Sequence, residues 1–130
     1  MKTYWDSSAL IEALHDPKIR ARLAPGASGT RSHSLAEVFS TLTKGINFRY
    51  SPQDAANMVA DLARDLSFFE LNSADTLAAI KGASAQGVRG ARIHDLMHAR
   101  AALLWGADEL ITLDDAGFAT LKVKLKISAP

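Results

Sequence analysis

The chain contains no cysteine. Disulfide frameworks and thiolate zinc sites are therefore excluded, and a reducing compartment is the natural one. No apolar run approaches the roughly 20 residues that a membrane-spanning helix needs. The opening Met1-Lys2-Thr3-Tyr4-Trp5-Asp6 lacks the apolar centre of a signal peptide, so a cytoplasmic location is expected. Internal repeats and low-complexity tracts are missing. Excess charge is also missing: the formal net charge is +1. That balance by itself does not establish a nucleic-acid partner.

What remains is ordinary globular material, with 48% hydrophobic and 22% charged residues in 130 positions. Such a chain suits one domain spanning residues 1–130, able to bury roughly two-thirds of its unfolded surface. The basic residues are unevenly placed. Lys18, Arg20 and Arg22 cluster early, Lys44 and Arg49 bracket a loop, and Arg89 and Arg92 precede Asp95. Basic groups around an acidic centre suit an anionic substrate. Scattered solvated charges are the plainer explanation of any single one.

Residues 2–5 read as a short buried strand. Ser7 or Ser8 is the expected cap of a helix through Leu10, Ile11 and Leu14, and Asp16-Pro17 restarts a second helix. Residues 24–29 read as loop and 30–33 as a strand. Ser34 then begins a helix carrying Leu35, Val38, Phe39 and Leu42 on one face. Ser51-Pro52-Gln53-Asp54 is a cap, a proline and a first-turn acid, opening a helix with Met58, Val59, Leu62 and Leu66. Ser67–Leu71 is a third strand. Ser73 opens a helix with Leu77 and Ile80 inward. Residues 82–90 hold three glycines and read as loop or frayed helix, followed by a long helix over 91–105 that Gly106 ends. Glu109–Thr112 is a fourth strand and 115–121 a helical turn. Val123, Leu125 and Ile127 alternate with lysines, the pattern of a guarded edge strand. Strands alternating with helices predict a three-layer α/β/α domain on a central, mostly parallel sheet of four to five strands.

Four acids, far apart in the chain, flank these elements: Asp6, Glu37, Asp95 and Asp114. Parallel strands would bring their carboxyl ends to one sheet edge, where ligands bind in such folds. Carboxylates gathered there repel one another unless a cation intervenes, and a hard divalent ion, Mg²⁺ or Mn²⁺, is the fitting one. Each acid also has a structural reading. Asp6 is a possible helix cap. Glu37 completes a capping box with Ser34. Asp115 competes with Asp114, and Asp115 is the better cap of the next turn. Asp95 lies mid-helix beside Leu96, Ala99 and Leu103, where an aspartate needs a partner.

The combination resembles PIN-domain ribonucleases, and among them VapC-type toxins of bacterial toxin–antitoxin pairs. The resemblance rests on Tyr4-Trp5-Asp6-Ser7-Ser8-Ala9-Leu10-Ile11, on Ser32-His33-Ser34-Leu35-Ala36-Glu37, on Arg92 to Ala101 around Asp95, and on Thr112-Leu113-Asp114-Asp115-Ala116-Gly117-Phe118. It spans nearly the whole chain. It implies a PIN-like fold and an endoribonuclease using Mg²⁺ or Mn²⁺ and leaving 5′ phosphate and 3′ hydroxyl ends. Asp6 and Asp95 would be direct ligands, Asp114 direct or through water, and Glu37 through water or on a second ion. Thr112 and Ser7 would support the site, with Asp115 as the alternative fourth acid, though the spacing from Thr112 favours Asp114. Arg31, Lys44, Arg49, Arg89 and Arg92 are candidate contacts to the RNA backbone. His98 reads as a partly buried or rim histidine rather than a ligand, and His94 carries no assigned role. A small antitoxin and a homodimeric state are the implied protein partners. The helices at Val38–Leu42 and Met58–Leu66 would receive the antitoxin wherever their apolar faces stay outside the core.

Other readings compete. A non-catalytic PIN-like interaction module would use the acids only as caps and solvated charges. A housekeeping PIN nuclease would lack an antitoxin. A haloacid-dehalogenase-type phosphatase expects a second aspartate two residues after the first, where Ser8 stands. A receiver domain expects a lysine ending a late strand near the acids, and Lys122 lies too close to the final edge strand.

Overall fold

Tyr4 and Trp5 are the two largest fully buried side chains, and they sit side by side in the first strand, β1 (Thr3–Trp5). Alternation along a strand sends them to opposite faces. Trp5, with Ile111, packs on Leu10 and Ile11 of helix α1 (Ser7–His15), on Val38 and Leu42 of α3 (Ser32–Thr43), and on Ala55 and Leu62 of α4 (Pro52–Ala63). Tyr4, with Leu110, packs on Leu96, Ala99 and Ala102 of α6 (Arg92–Trp105) and on Phe118 of α7 (Asp115–Ala119). Two apolar layers on one sheet make the three-layer α/β/α architecture. The computed structural model describes residues 1–130.

The sheet holds five strands in the order β3-β2-β1-β4-β5, every pair parallel. The others are β2 (Ser28–Thr30), β3 (Ser67–Phe68), β4 (Glu109–Ile111) and β5 (Lys126–Ser128). Helices α2 (Pro17–Arg20) and α5 (Ser73–Gly82) complete the crossovers. The chain steps outward from β1 to β2 and β3, then returns to the other side of β1 as β4. The strand order therefore reverses between β1 and β4, and the crevice at their carboxyl ends is where ligands bind in such sheets. The edge strand β5 exposes Lys126 and half-buries Ile127, as the lysine alternation predicts. No helix is long and apolar enough to cross a membrane.

Several elements differ from the sequence reading. The second strand is Ser28–Thr30, begun inside the segment read as loop and overlapping the expected 30–33 strand only at Thr30. Gly29 explains the error: its backbone lies against the Trp105 indole, and a Cβ there would stand 2.6 Å from the ring. The glycine marks close packing, not a turn. Helix α3 begins at Ser32, so the Ser34–Glu37 capping box does not form. Ser34 is buried, and its hydroxyl lies 2.7 Å from Thr30 Oγ1, which itself donates to the Trp5 carbonyl at 2.7 Å. Phe39 is exposed beside the buried Val38 and Leu42.

In α5 the inward residue is Ala79, while Leu77 and Ile80 face outward, 54% and 49% exposed. The stripe of small residues, not the large ones, lets α5 approach its neighbour. Caps are settled too: Asn72 caps α5 in place of Ser73, Asp6 rather than Ser7 or Ser8 is the cap of α1 among the readings the sequence allows, and Asp114 caps α7 in place of Asp115. The strands β3 and β5 are shorter than read. Val38, Leu42, Leu62 and Leu66 belong to the core, so the helices that carry them offer little free apolar surface.

Candidate active site at the carboxyl end of the sheet

The register of β1 against β4 pairs Trp5 with Ile111. The next residues, Asp6 and Thr112, therefore leave the sheet together. Asp6 is 6% exposed, and both its oxygens accept hydrogen bonds. One oxygen, Oδ1, accepts the Ala9 amide at 3.0 Å and the Ser8 hydroxyl at 2.7 Å. The other, Oδ2, accepts the Thr112 hydroxyl at 2.5 Å. Thr112 Oγ1 in turn accepts the Asp114 amide at 3.1 Å, and Ser8 Oγ accepts the Leu113 amide at 3.0 Å. Two hydroxyls thus tie the end of β4 to the start of α1. Thr112 takes the supporting place expected of it. The partner hydroxyl is Ser8, absent from the sequence-based site, while Ser7 lines a neighbouring cavity. A serine two residues beyond a capping aspartate is the signal that could have found it, since such side chains bond back locally.

Glu37 comes from the second turn of α3. His98, buried in α6, bridges it to the core: Nε2 donates to Glu37 Oε1 at 3.0 Å, and the Tyr4 hydroxyl lies 2.8 Å from Nδ1. Burial pushes the Tyr4 phenol above its usual range, against smaller opposing influences from Arg31, Thr30 and Ser34. Tyr4 therefore stays protonated and donates to Nδ1, which leaves the Nε2 proton for Glu37. Burial alone would raise the Glu37 carboxyl. The His98 hydrogen bond, with the electrostatic influence of His98, His33 and Arg31, outweighs it, so its pKa lies below the ordinary value. The histidine is a wholly internal positioning group, more deeply buried than a rim residue.

Asp95 stands in the first turn of α6. It is half-buried, and no hydrogen bond contributes to its state. Burial raises its pKa, and the negative charges of Asp114 and Asp6 raise it further against His98 and Arg92. Asp114 is exposed and caps α7, its Oδ1 accepting the Gly117 amide at 3.1 Å. Asp115 is the first residue of that helix, not its cap. Asp6, Asp95 and Asp114 therefore share one electrostatic neighbourhood, with Glu37 reaching it through His98. The side chains do not close into a ready group of three metal-ligating residues. The donors nevertheless fit a hard divalent ion in kind: they are carboxylates, and Asp95 carries repulsion that no protein donor relieves.

Among the basic candidates, Arg31 precedes α3 and its charge acts on Glu37 and Tyr4, with a buried Nε that has no partner. Arg92 donates to the Gly117 carbonyl and the Thr120 hydroxyl, both at 2.9 Å, which fixes α7 beside the site. Arg89 is exposed before α6, and Lys44 and Arg49 are exposed on the loop after α3. The rings of His33 and His94 lie parallel on the rim, 5.9 Å apart. A cavity of about 250 Å³ around Arg100 shares no residue with this acidic end.

Fold and crevice together define a PIN-like α/β/α domain. Solved structures bear the same architecture: the PAE2754 protein of Pyrobaculum aerophilum (TM-score 0.73, 19% identity, 98% of this chain and 89% of that one); VapBC2 of Rickettsia felis, bound to a DNA fragment from its promoter (0.72, 14%, all of both chains); and VapBC-1 of nontypeable Haemophilus influenzae (0.69, 19%, 99% and 98%). At these identities the likeness is one of fold. No family model and no curated protein matches the sequence.

Proposed function

We propose that the chain is a metal-dependent endoribonuclease acting in the cytoplasm as the toxin of a toxin–antitoxin pair, restrained by a small antitoxin and working as a homodimer. The observation that carries this reading is Asp95. It is a half-buried carboxylate with no hydrogen-bond donor, its pKa raised chiefly by burial and further by Asp114 and Asp6, in a crevice at the strand ends. Perturbed acids in such a place are the usual mark of chemistry. Solved complexes of the same fold pair a VapC with its VapB, which supports the partner half of the reading.

Asp6, Asp95 and Asp114 would hold Mg²⁺ or Mn²⁺, with Glu37 contributing through water. When bound, the ion would supply charge neutralisation at the scissile phosphate and a more acidic water. The chain's own contribution is positional. Thr112 and Ser8 fix both oxygens of Asp6, and His98 fixes Glu37. Glu37, held as a carboxylate, can accept a proton from the attacking water. The phosphorus–O3′ bond then breaks and the leaving oxygen takes a proton from solvent, giving a 5′ phosphate and a 3′ hydroxyl. Asp95→Asn should abolish cleavage of single-stranded RNA in Mg²⁺ while leaving the circular-dichroism spectrum unchanged. Undiminished cleavage by that variant removes the assigned centre.

One observation favours a second reading, a non-catalytic interaction module. Asp6 and Asp114 already serve as caps, and no three acids close on one point. That reading predicts no change in melting temperature on titration with Mn²⁺, whereas the nuclease predicts a rise that Asp95→Asn removes.

A further inference from the structure

A cavity of about 400 Å³ opens beside the acidic end, within the range of small-molecule sites (~300–1,000 Å³). Ser7, Ser8 and Leu113 form part of its wall, and the Ser8 hydroxyl donates to Asp6 Oδ1 at 2.7 Å, so the cavity lies next to the acidic end. Asn47, Phe48 and Glu12 line it from the loop after α3 and from α1. The loop is held in place: the Gly45 amide donates to the Phe48 carbonyl at 3.1 Å, the Tyr50 amide donates to the Leu42 carbonyl at 3.1 Å, and Gly45 adopts φ 81°. The Phe48 ring stacks on His15 at 4.7 Å, which fixes its plane. Lys44 and Arg49 are exposed on either side, and neither joins an ion pair.

The geometry points to a nucleobase subsite. Resting on the ribonuclease reading, we infer that one unpaired base of the substrate enters this cavity, stacks near Phe48, and presents an exocyclic amino group to Glu12. Aromatic rings take bases of any identity. Discrimination must come from the polar lining, and Glu12 is half-buried, without an ion pair, and can only accept hydrogen bonds when ionised. A carboxylate disfavours a phosphate here and favours a donor. Cytosine carries an amino group where uracil carries a carbonyl oxygen, which would face Glu12 acceptor to acceptor. Lys44 and Arg49 would hold the backbone on either side. The cavity therefore selects against uracil at one position next to the scissile bond.

Binding tests this without cleavage. Fluorescein-labelled hexamers of cytidylate and uridylate are titrated against the Asp95→Asn protein by anisotropy, with and without Mg²⁺. Wild-type lining should favour the cytidylate hexamer by about tenfold, the low end for one good side-chain–base contact. Adding Glu12→Gln, whose amide can donate as well as accept, should bring the two within twofold. Asn47→Ala, on an exposed residue, should weaken the cytidylate hexamer, with its melting curve reporting the fold. Equal binding of both hexamers, raised equally by Glu12→Gln, would mean only a charge effect and overturn the subsite. No binding of either hexamer also overturns it. Cleavage of random RNA by wild type separates the two proposals. Cuts without a base preference leave the nuclease standing and the subsite refuted, while no cuts at all refute the nuclease.

Discussion

Thr112→Val keeps the shape of a fully buried β-branched side chain and removes its hydroxyl. Two close hydrogen bonds disappear, the 2.5 Å donation to Asp6 Oδ2 and the 3.1 Å acceptance from the Asp114 amide, together with a long 3.4 Å contact to Ser8 Oγ. The first is charge-assisted and buried, a class whose loss costs about 1.5–3 kcal/mol. The second is an ordinary bond to a half-exposed amide, at about 0.5–1.5 kcal/mol. Packing is nearly conserved, so no cavity contribution arises. The sum is about 2–4.5 kcal/mol, or roughly a 30- to 2,000-fold shift in the unfolding constant. Urea unfolding followed by circular dichroism measures it directly, with the slope unchanged and the midpoint lowered. Thr112→Ser restores the hydroxyl and should recover most of the loss. Cleavage should fall in Thr112→Val beyond what unfolding explains, because Asp6 loses one of the donors that orient it. A valine variant within about 0.5 kcal/mol of wild type would show that Asp6 is not held through this bond, and the account of the site would fall with it.

Asp95→Asn should make the protein slightly more stable at neutral pH even as it removes activity. The Asp95 pKa is raised in the fold, so its charge opposes folding above that pKa, and the opposition disappears as pH falls through it. The site is partly solvated, so a gain below about 1 kcal/mol is expected in urea melts, and a loss of stability contradicts it. Tyr4 acts at the opposite end of the pH range. Its phenol is raised by burial, so its contribution is intact below the ordinary tyrosine value of about 10 and is lost as pH climbs past it. Ultraviolet titration should show one of the two tyrosines ionising only with unfolding; two ordinary titrations in the folded protein exclude this. Gly29→Ala would drive a Cβ into the Trp105 ring and should cost about 1–3 kcal/mol, measured by thermal melting, with Trp105→Leu relieving part of it.

The sequence by itself determined the class of fold and named the four acids as candidates. Helix caps such as Ser51-Pro52, the stop at Gly106 and the alternation of strands with helices are local signals, written in adjacent residues. The four carboxylates were picked out for the same reason, Asp6 and Asp114 beyond strands and Glu37 and Asp95 in the opening turns of helices. Other features were illegible because they depend on partners remote in the chain. Gly29 looked like a turn until Trp105 was placed against it. Leu77 and Ile80 looked internal until the small face of α5 met its neighbour. Glu37 looked like half of a capping box, although its partner is His98, 61 residues away. Ser8 entered the site only when the register of β1 on β4 set Leu113 beside it. Periodicity records which residues share a face of one element. Only packing between elements decides which face is buried and which hydroxyl meets which carboxylate.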